Sequence, residues 1–255
     1  MTAPHTGADA WLRRYHPADA DAVTLVCFPH AGGSAGYFHP FSAALAPSVA
    51  VVAVQYPGRQ DRLGEPCVED LGELAEAVQR QLRTLCGPLA FFGHSMGASI
   101  AFEVARRREL AGEEAPLMLF VSGRRAPDTR RAATEPVHSL DDAGLLARIK
   151  RLGGTHTQLL DDPELVDLVL PAVRGDYRAV ESYHCPPGTV LRSPLTVLTG
   201  TEDPLTTAEE ADAWRRHTSA ACTVHTFPGG HFFLEPESRA VIATVSGALA
   251  GLTVR

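Results

Sequence analysis

The chain has 255 residues, 45% of them hydrophobic, and a formal net charge of −7. This suits one domain, 1–255, that buries roughly 70–75% of its unfolded surface, and the acidic balance gives no general attraction to nucleic acid or anionic membrane. Residues 1–7 have neither a charged nor an apolar leader region, no apolar run approaches about 18 residues, and the five cysteines (27, 67, 86, 185 and 222) lack C-x-x-C spacing, so a reduced cytoplasmic protein without metal or cofactor is expected.

In chain order, Val23-Thr-Leu-Val-Cys-Phe28 is apolar and β-branched and predicts a strand over 23–28. A flexible loop follows, Pro29-His30-Ala31-Gly32-Gly33-Ser34-Ala35-Gly36. It has no Lys followed by Ser or Thr and no G-x-G-x-x-G spacing, which argues against a phosphate cradle. A further strand is expected at 49–55. The stretch 68–86 reads as an amphipathic helix with Leu71, Leu74, Ala75, Val78 and Leu82 on one stripe. Strands at 88–93, 117–123, 194–200 and 222–227 complete an alternation of strand and helix. That order predicts an α/β fold, a mostly parallel sheet with helices on both faces. The segment 124–190 breaks the alternation with two helical stretches, 140–151 and 163–182. An insertion placed there, above the strand ends, reads as a lid.

The strand at 88–93 runs directly into Gly93-His94-Ser95-Met96-Gly97, and Ala98 to Arg106 is a good helix former. Strand, sharp turn and helix with Ser at the apex is a nucleophile elbow. The alternative is a Gly-rich turn whose Ser only caps the helix, and that alternative needs no partners. A nucleophilic Ser needs a base, and the base needs an orienting acid. Hydrolases built on this elbow carry them in the order Ser, acid, His. Thr201-Glu-Asp203-Pro204 follows the strand at 194–200, and Pro228-Gly-Gly-His231 follows the strand at 222–227. Both therefore lie past strand ends, where open α/β sheets build their sites. The candidate triad is Ser95, Asp203 and His231. Glu202 and Asp128 are the rival acids, the latter five residues beyond Gly123. Among the eleven histidines, His225 lies inside a strand, His94 fills the variable position of the elbow, and His184 and His217 precede no suitable turn. The backbone N–H groups of Ala31 and Met96 are the expected oxyanion donors, the first from the loop after the early strand and the second from the residue after the nucleophile. His30 is expected to line the pocket.

Phe28-Pro-His-Ala-Gly-Gly33, Tyr56-Pro-Gly-Arg59, Gly93-His-Ser-Met-Gly97, the Asp203 turn and Gly229-Gly-His-Phe-Phe233 together resemble a type II thioesterase, from about residue 11 to 250. That family comprises discrete α/β-hydrolases accompanying polyketide synthases and nonribosomal peptide synthetases. One position departs from the family's pattern, and another favours the discrete type and leaves Asp203 as the acid. Leu152-Gly-Gly-Thr155 is followed by His156 where the family reads Pro, and Ser122 stands where terminal thioesterase domains of the synthetases often carry their acid. The resemblance implies an acyl group on the phosphopantetheine arm of an acyl or peptidyl carrier protein as substrate, and the clearing of misprimed or stalled chains as role. Leu145 and Leu168 in the lid would then face the acyl group. An acidic carrier meeting a chain of charge −7 would need a basic patch, and Arg124, Arg125, Arg130 and Arg131 cluster at the start of the lid. Three other readings remain: a stand-alone carboxylesterase, a cyclising terminal domain (which a carrier domain would normally precede, with none upstream of Trp11), and a hydrolase fold used only to bind a ligand.

Overall fold

A computed structural model describes residues 8–129, 131, 135–153 and 161–252. Its strands are β1 (Leu12–Arg13), β2 (Val23–Phe28), β3 (Val49–Val54), β4 (Leu89–His94), β5 (Leu119–Ser122), β6 (Leu195–Gly200) and β7 (Cys222–Phe227). They form one sheet in the order β1-β3-β2-β4-β5-β6-β7. Every pairing is parallel except that of β1 with β3, an edge pair too short to leave a pattern in the sequence. The central strands read as unbroken apolar runs because helices cover both faces. Val26, Phe28, Val54 and Phe91 point to one face, under α3 (Leu71–Leu82) and α4 (Met96–Leu110). Leu25, Cys27, Val51, Ala53 and Phe92 point to the other, under α2 (His39–Leu45), which follows the short α1 (Ala8–Trp11), and under the C-terminal helix Ser238–Ala250.

Local chemistry sets the helix boundaries. The helix expected over 68–86 begins only after Asp70, whose carboxylate accepts the Glu73 N–H at 2.9 Å and so caps the first turn of α3. Between β5 and β6, which pair directly with Leu119 opposite Leu195, the chain makes a long excursion. It contains α5 (Asp142–Leu152), capped by Asp141, and α6 (Pro163–Ser182), capped by Asp162 with Pro163 at its first position. Val173 and Asp176 of α6 are buried. The end of α6 is tied to the sheet layer by the Tyr183 hydroxyl, which donates to Glu103 of α4 at 2.9 Å. Among the described residues no helix is long and apolar enough to cross a membrane.

Candidate active site

The elbow sits between β4 and α4. Ser95 has φ 55° and ψ −120°, a region L-residues rarely occupy, and its side chain makes no capping bond to the helix. The strain is over-determined by the surroundings. A Cβ on Gly93 would lie 2.3 Å from the Gly97 carbonyl oxygen, and one on Gly97 would lie 2.0 Å from the Phe28 carbonyl oxygen. Only glycine fits at either place. The Ser95 N–H donates to the Ser122 carbonyl at 2.8 Å, which fastens the turn to the next strand.

The ends of β6 and β7 are zipped together. The Thr201 N–H donates to Phe227 O and the Glu202 N–H to Gly229 O, each at 2.9 Å. That zipper carries Asp203 to His231. His231 Nδ1 lies 3.1 and 3.0 Å from the two carboxylate oxygens of Asp203, and Nε2 lies 2.9 Å from Ser95 Oγ. Asp203 and His231 are buried, and the Leu205 N–H donates to Asp203 Oδ1 at 2.8 Å, fixing the carboxylate. Such an array can move a proton from the hydroxyl to the ring while the carboxylate stabilises the imidazolium. Glu202, by contrast, is exposed. Asp128 is also exposed and pairs with Arg216 and His217 at 3.2 and 3.0 Å, away from the triad. His225 lies within β7.

His94 is completely buried. Its Nδ1 bonds Ser122 Oγ at 3.0 Å, and its ring lies 5.0 Å from that of His231. Burial first, then the charges of His231 and His30, holds its pKa well below the ordinary histidine value, so it stays neutral beside the site. Ser122, in the position where an acid is absent, thus anchors His94. His30 lines the cavity and packs edge-on against Tyr37 and Phe232, with ring centroids 4.7 and 4.9 Å apart.

The loop carrying Ala31 is held from both sides. Tyr56 Oη donates to Pro29 O at 3.3 Å, and Gln55 Oε1 accepts the Ala35 N–H at 3.0 Å. Between these, the Gly32 N–H donates to Asp176 Oδ2 at 2.7 Å. Asp176 forms a buried two-pronged pair with Arg59, at 2.5 and 2.9 Å, and Arg59 also donates to Gly33 O at 3.4 Å. Burial opposes the Arg59 charge, but Asp176 more than offsets it and holds the guanidinium above its ordinary value. Among the described residues the N–H groups of Ala31 and Met96 donate to no other group. Sequence reading gave Arg59 no role and missed Asp176 altogether. A signal was present: Asp176 falls seven residues after Val169 and four before Val180, a charge on the apolar stripe of its helix.

A cavity of about 390 Å³ opens on Ser95 and His231. Its apolar wall comes from Ile149, Leu152, Leu165, Leu168, Val169 and Val173. Leu168 is thus part of the cavity wall. Leu145, expected to face the acyl group, is instead completely buried within the helical insertion, against Leu170 and Val173, and is not among the residues lining this cavity. Of the four arginines at the start of the insertion, Arg124, Arg125 and Arg131 are among the described residues. Arg131 pairs bidentately with Glu210 at 2.6 and 2.7 Å, Arg124 and Arg125 are half-buried, and Arg130 lies outside the described residues. Burial, and then the neighbouring Arg125, pulls the Arg124 guanidinium down to about 10. Gly154, Thr155 and His156 also lie outside the described residues, so the departure at His156 has no structural account.

The family profile described as a thioesterase domain matches residues 23–249. A "Probable cadicidin biosynthesis thioesterase" of Streptomyces griseus is 56% identical over 97% of this chain and 68% of its own length. The thioesterase PikA5 of Streptomyces venezuelae is 49% identical over 94% of this chain and 85% of its own. Among solved structures, the type II thioesterase BorB of the borrelidin biosynthetic cluster superposes with a TM-score of 0.88 at 49% identity, covering 96% of this chain and all of the other. The chain belongs to the thioesterase family of the α/β-hydrolase fold.

Proposed function

We propose that this chain is a type II thioesterase that removes acyl groups from the phosphopantetheine arm of acyl or peptidyl carrier proteins in polyketide or nonribosomal peptide synthesis. The observation that carries this reading is the continuous line from Asp203 through His231 to Ser95 Oγ at the mouth of an apolar cavity. His231 Nε2 takes the hydroxyl proton as Ser95 Oγ bonds the thioester carbonyl carbon. The resulting oxyanion is met by the Ala31 and Met96 N–H groups, the latter at the N-terminus of α4, where free N–H groups favour negative charge. Removal of one such donor typically lowers kcat by about 10²–10³. The C–S bond then breaks, and the thiol leaves with the proton from His231. Water, deprotonated by the same ring, hydrolyses the Ser95 ester and releases the free acid. The insertion of α5 and α6 acts as the lid over the acyl chain. The origin of the type II thioesterase BorB in the borrelidin biosynthetic cluster supports a role of this kind.

Hydrolysis rates on acyl-carrier proteins, small acyl thioesters and the matching oxygen esters test the reading. Faster turnover of carrier thioesters than of oxygen esters is expected. Equal or greater activity on oxygen esters would make the chain a carboxylesterase instead.

A further inference from the structure

The oxyanion loop is gripped by groups from two parts of the chain, residues 55–59 just after β3 and the lid helix α6. Asp176 sits on α6, yet it accepts the Gly32 N–H and holds Arg59, which bonds Gly33 O. Its neighbour one turn earlier, Val173, fills the space beside Gly32 that a side chain there would need. Ala31 lies directly between the points fixed by Tyr56, at Pro29 O, and by Asp176, at Gly32 N. The peptide that carries the Ala31 N–H thus lies between one anchored by Tyr56 and one anchored by a buried ion pair whose acid belongs to the lid helix.

We propose that Asp176 and Arg59 are positioning residues for the oxyanion step, and that the seating of α6 on the loop through this pair is what gives the Ala31 N–H its working direction. The inference rests on the reading of Ala31 as an oxyanion donor. A buried pair of this kind is weak evidence for stability, because charges withdrawn from water recover little net energy on pairing. Its bidentate geometry gives directional hold, which hydrophobic contacts lack. Displacement of a reacting group by about 1 Å can lower rate by about a hundredfold, so a small shift of Gly32 is enough to matter. Without this contact the Gly32 N–H has no other described side-chain acceptor, and the donor loses its aim.

Two variants test this. Asp176→Asn leaves a buried guanidinium facing an amide, so its fold is checked by near-UV circular dichroism. Asp176→Glu keeps the charge and the pair but moves the carboxylate by one methylene relative to Gly32. Both should lower kcat on a small acyl thioester by about ten- to a hundredfold with KM within about twofold. The second readout is a trifluoromethyl ketone of the same acyl chain. Its carbonyl carbon bonds Ser95 Oγ, the proton passes to His231, and the carbonyl oxygen becomes an oxyanion in the hole. Affinity for this ketone should fall in parallel with kcat, while affinity for the unreactive amide of the same chain should not change. Unchanged kcat in the folded variants, or equal losses for ketone and amide, overturns the inference while Ser95→Ala inactivity leaves the functional reading in place. Turnover that persists in Ser95→Ala removes that reading, and this inference with it.

Discussion

Ser95 is held at a positive φ because Gly93 and Gly97 allow neighbouring backbone to approach within distances no side chain would permit. The turn thereby lifts one hydroxyl to within 2.9 Å of an imidazole that Asp203 orients. Asp203→Asn should therefore lower kcat by roughly 10⁴, since the ring loses both its tautomer and its counter-charge. Asp128→Asn should change kcat less than about twofold, because Asp128 is exposed and occupied by Arg216 and His217. Steady-state kinetics on one acyl thioester compares the two, and a reversal of their effects would relocate the acid. His94 gives a pH dependence. Its folded pKa is depressed, whereas an unfolded histidine takes up a proton near about 6.5. Below that pH the unfolded chain binds more protons than the native one, so acidification lowers stability, by at most about 1.4 kcal/mol per pH unit for this one group. Urea unfolding from pH 8 to 5 should show a shallower slope in His94→Gln than in the parent chain. Parallel slopes would mean that His94 takes its proton in the folded state as readily as in the unfolded one.

At the scale of elements, the strands from β2 onward and the elbow were legible because their signals are local: apolar β-branched runs, and glycines at fixed offsets from a serine. Helix α6 was legible from end to end, with Asp162 capping it and Pro163 at its first position. What could not be read was long-range. Nothing near Arg59 in the chain announces a partner 117 residues away, and Leu145 and Leu168 look alike until the packing of α5 on α6 separates them. That separation makes opposite predictions for the two leucines. Leu145→Ala should destabilise the protein by about 2–5 kcal/mol, as truncation of a wholly buried leucine does. Leu168 is 49% exposed and lines the cavity, so Leu168→Trp should leave the melting temperature within about 2 °C and shift preference toward shorter acyl chains. Thermal melts and a chain-length series check both, and loss of stability without a change in preference at Leu168 would place it in the lid's core.

For the whole molecule, on the proposed reading, a net charge of −7 would meet an acidic carrier protein, while Arg131 is paired with Glu210 and Arg124 is half-buried. Repulsion should then dominate the approach and be screened by salt, whose Debye length falls to about 10 Å at 0.1 M. The ratio kcat/KM for an acyl-carrier protein should rise between low and moderate salt, while that for a small acyl thioester stays level. A fall with salt would instead reveal a working basic patch around Arg125. The proposed chemistry turns on one covalent event, the transfer of an acyl group from a carrier's thiol to Ser95. Intact-protein and peptide mass spectrometry after rapid acid quench of enzyme mixed with acyl-carrier protein observes it directly. A transient acyl adduct on the peptide containing Ser95, followed by free acid and deacylated carrier, is the expected result. An acyl group that stays on the carrier, or that leaves it equally fast with Ser95→Ala, would contradict the account.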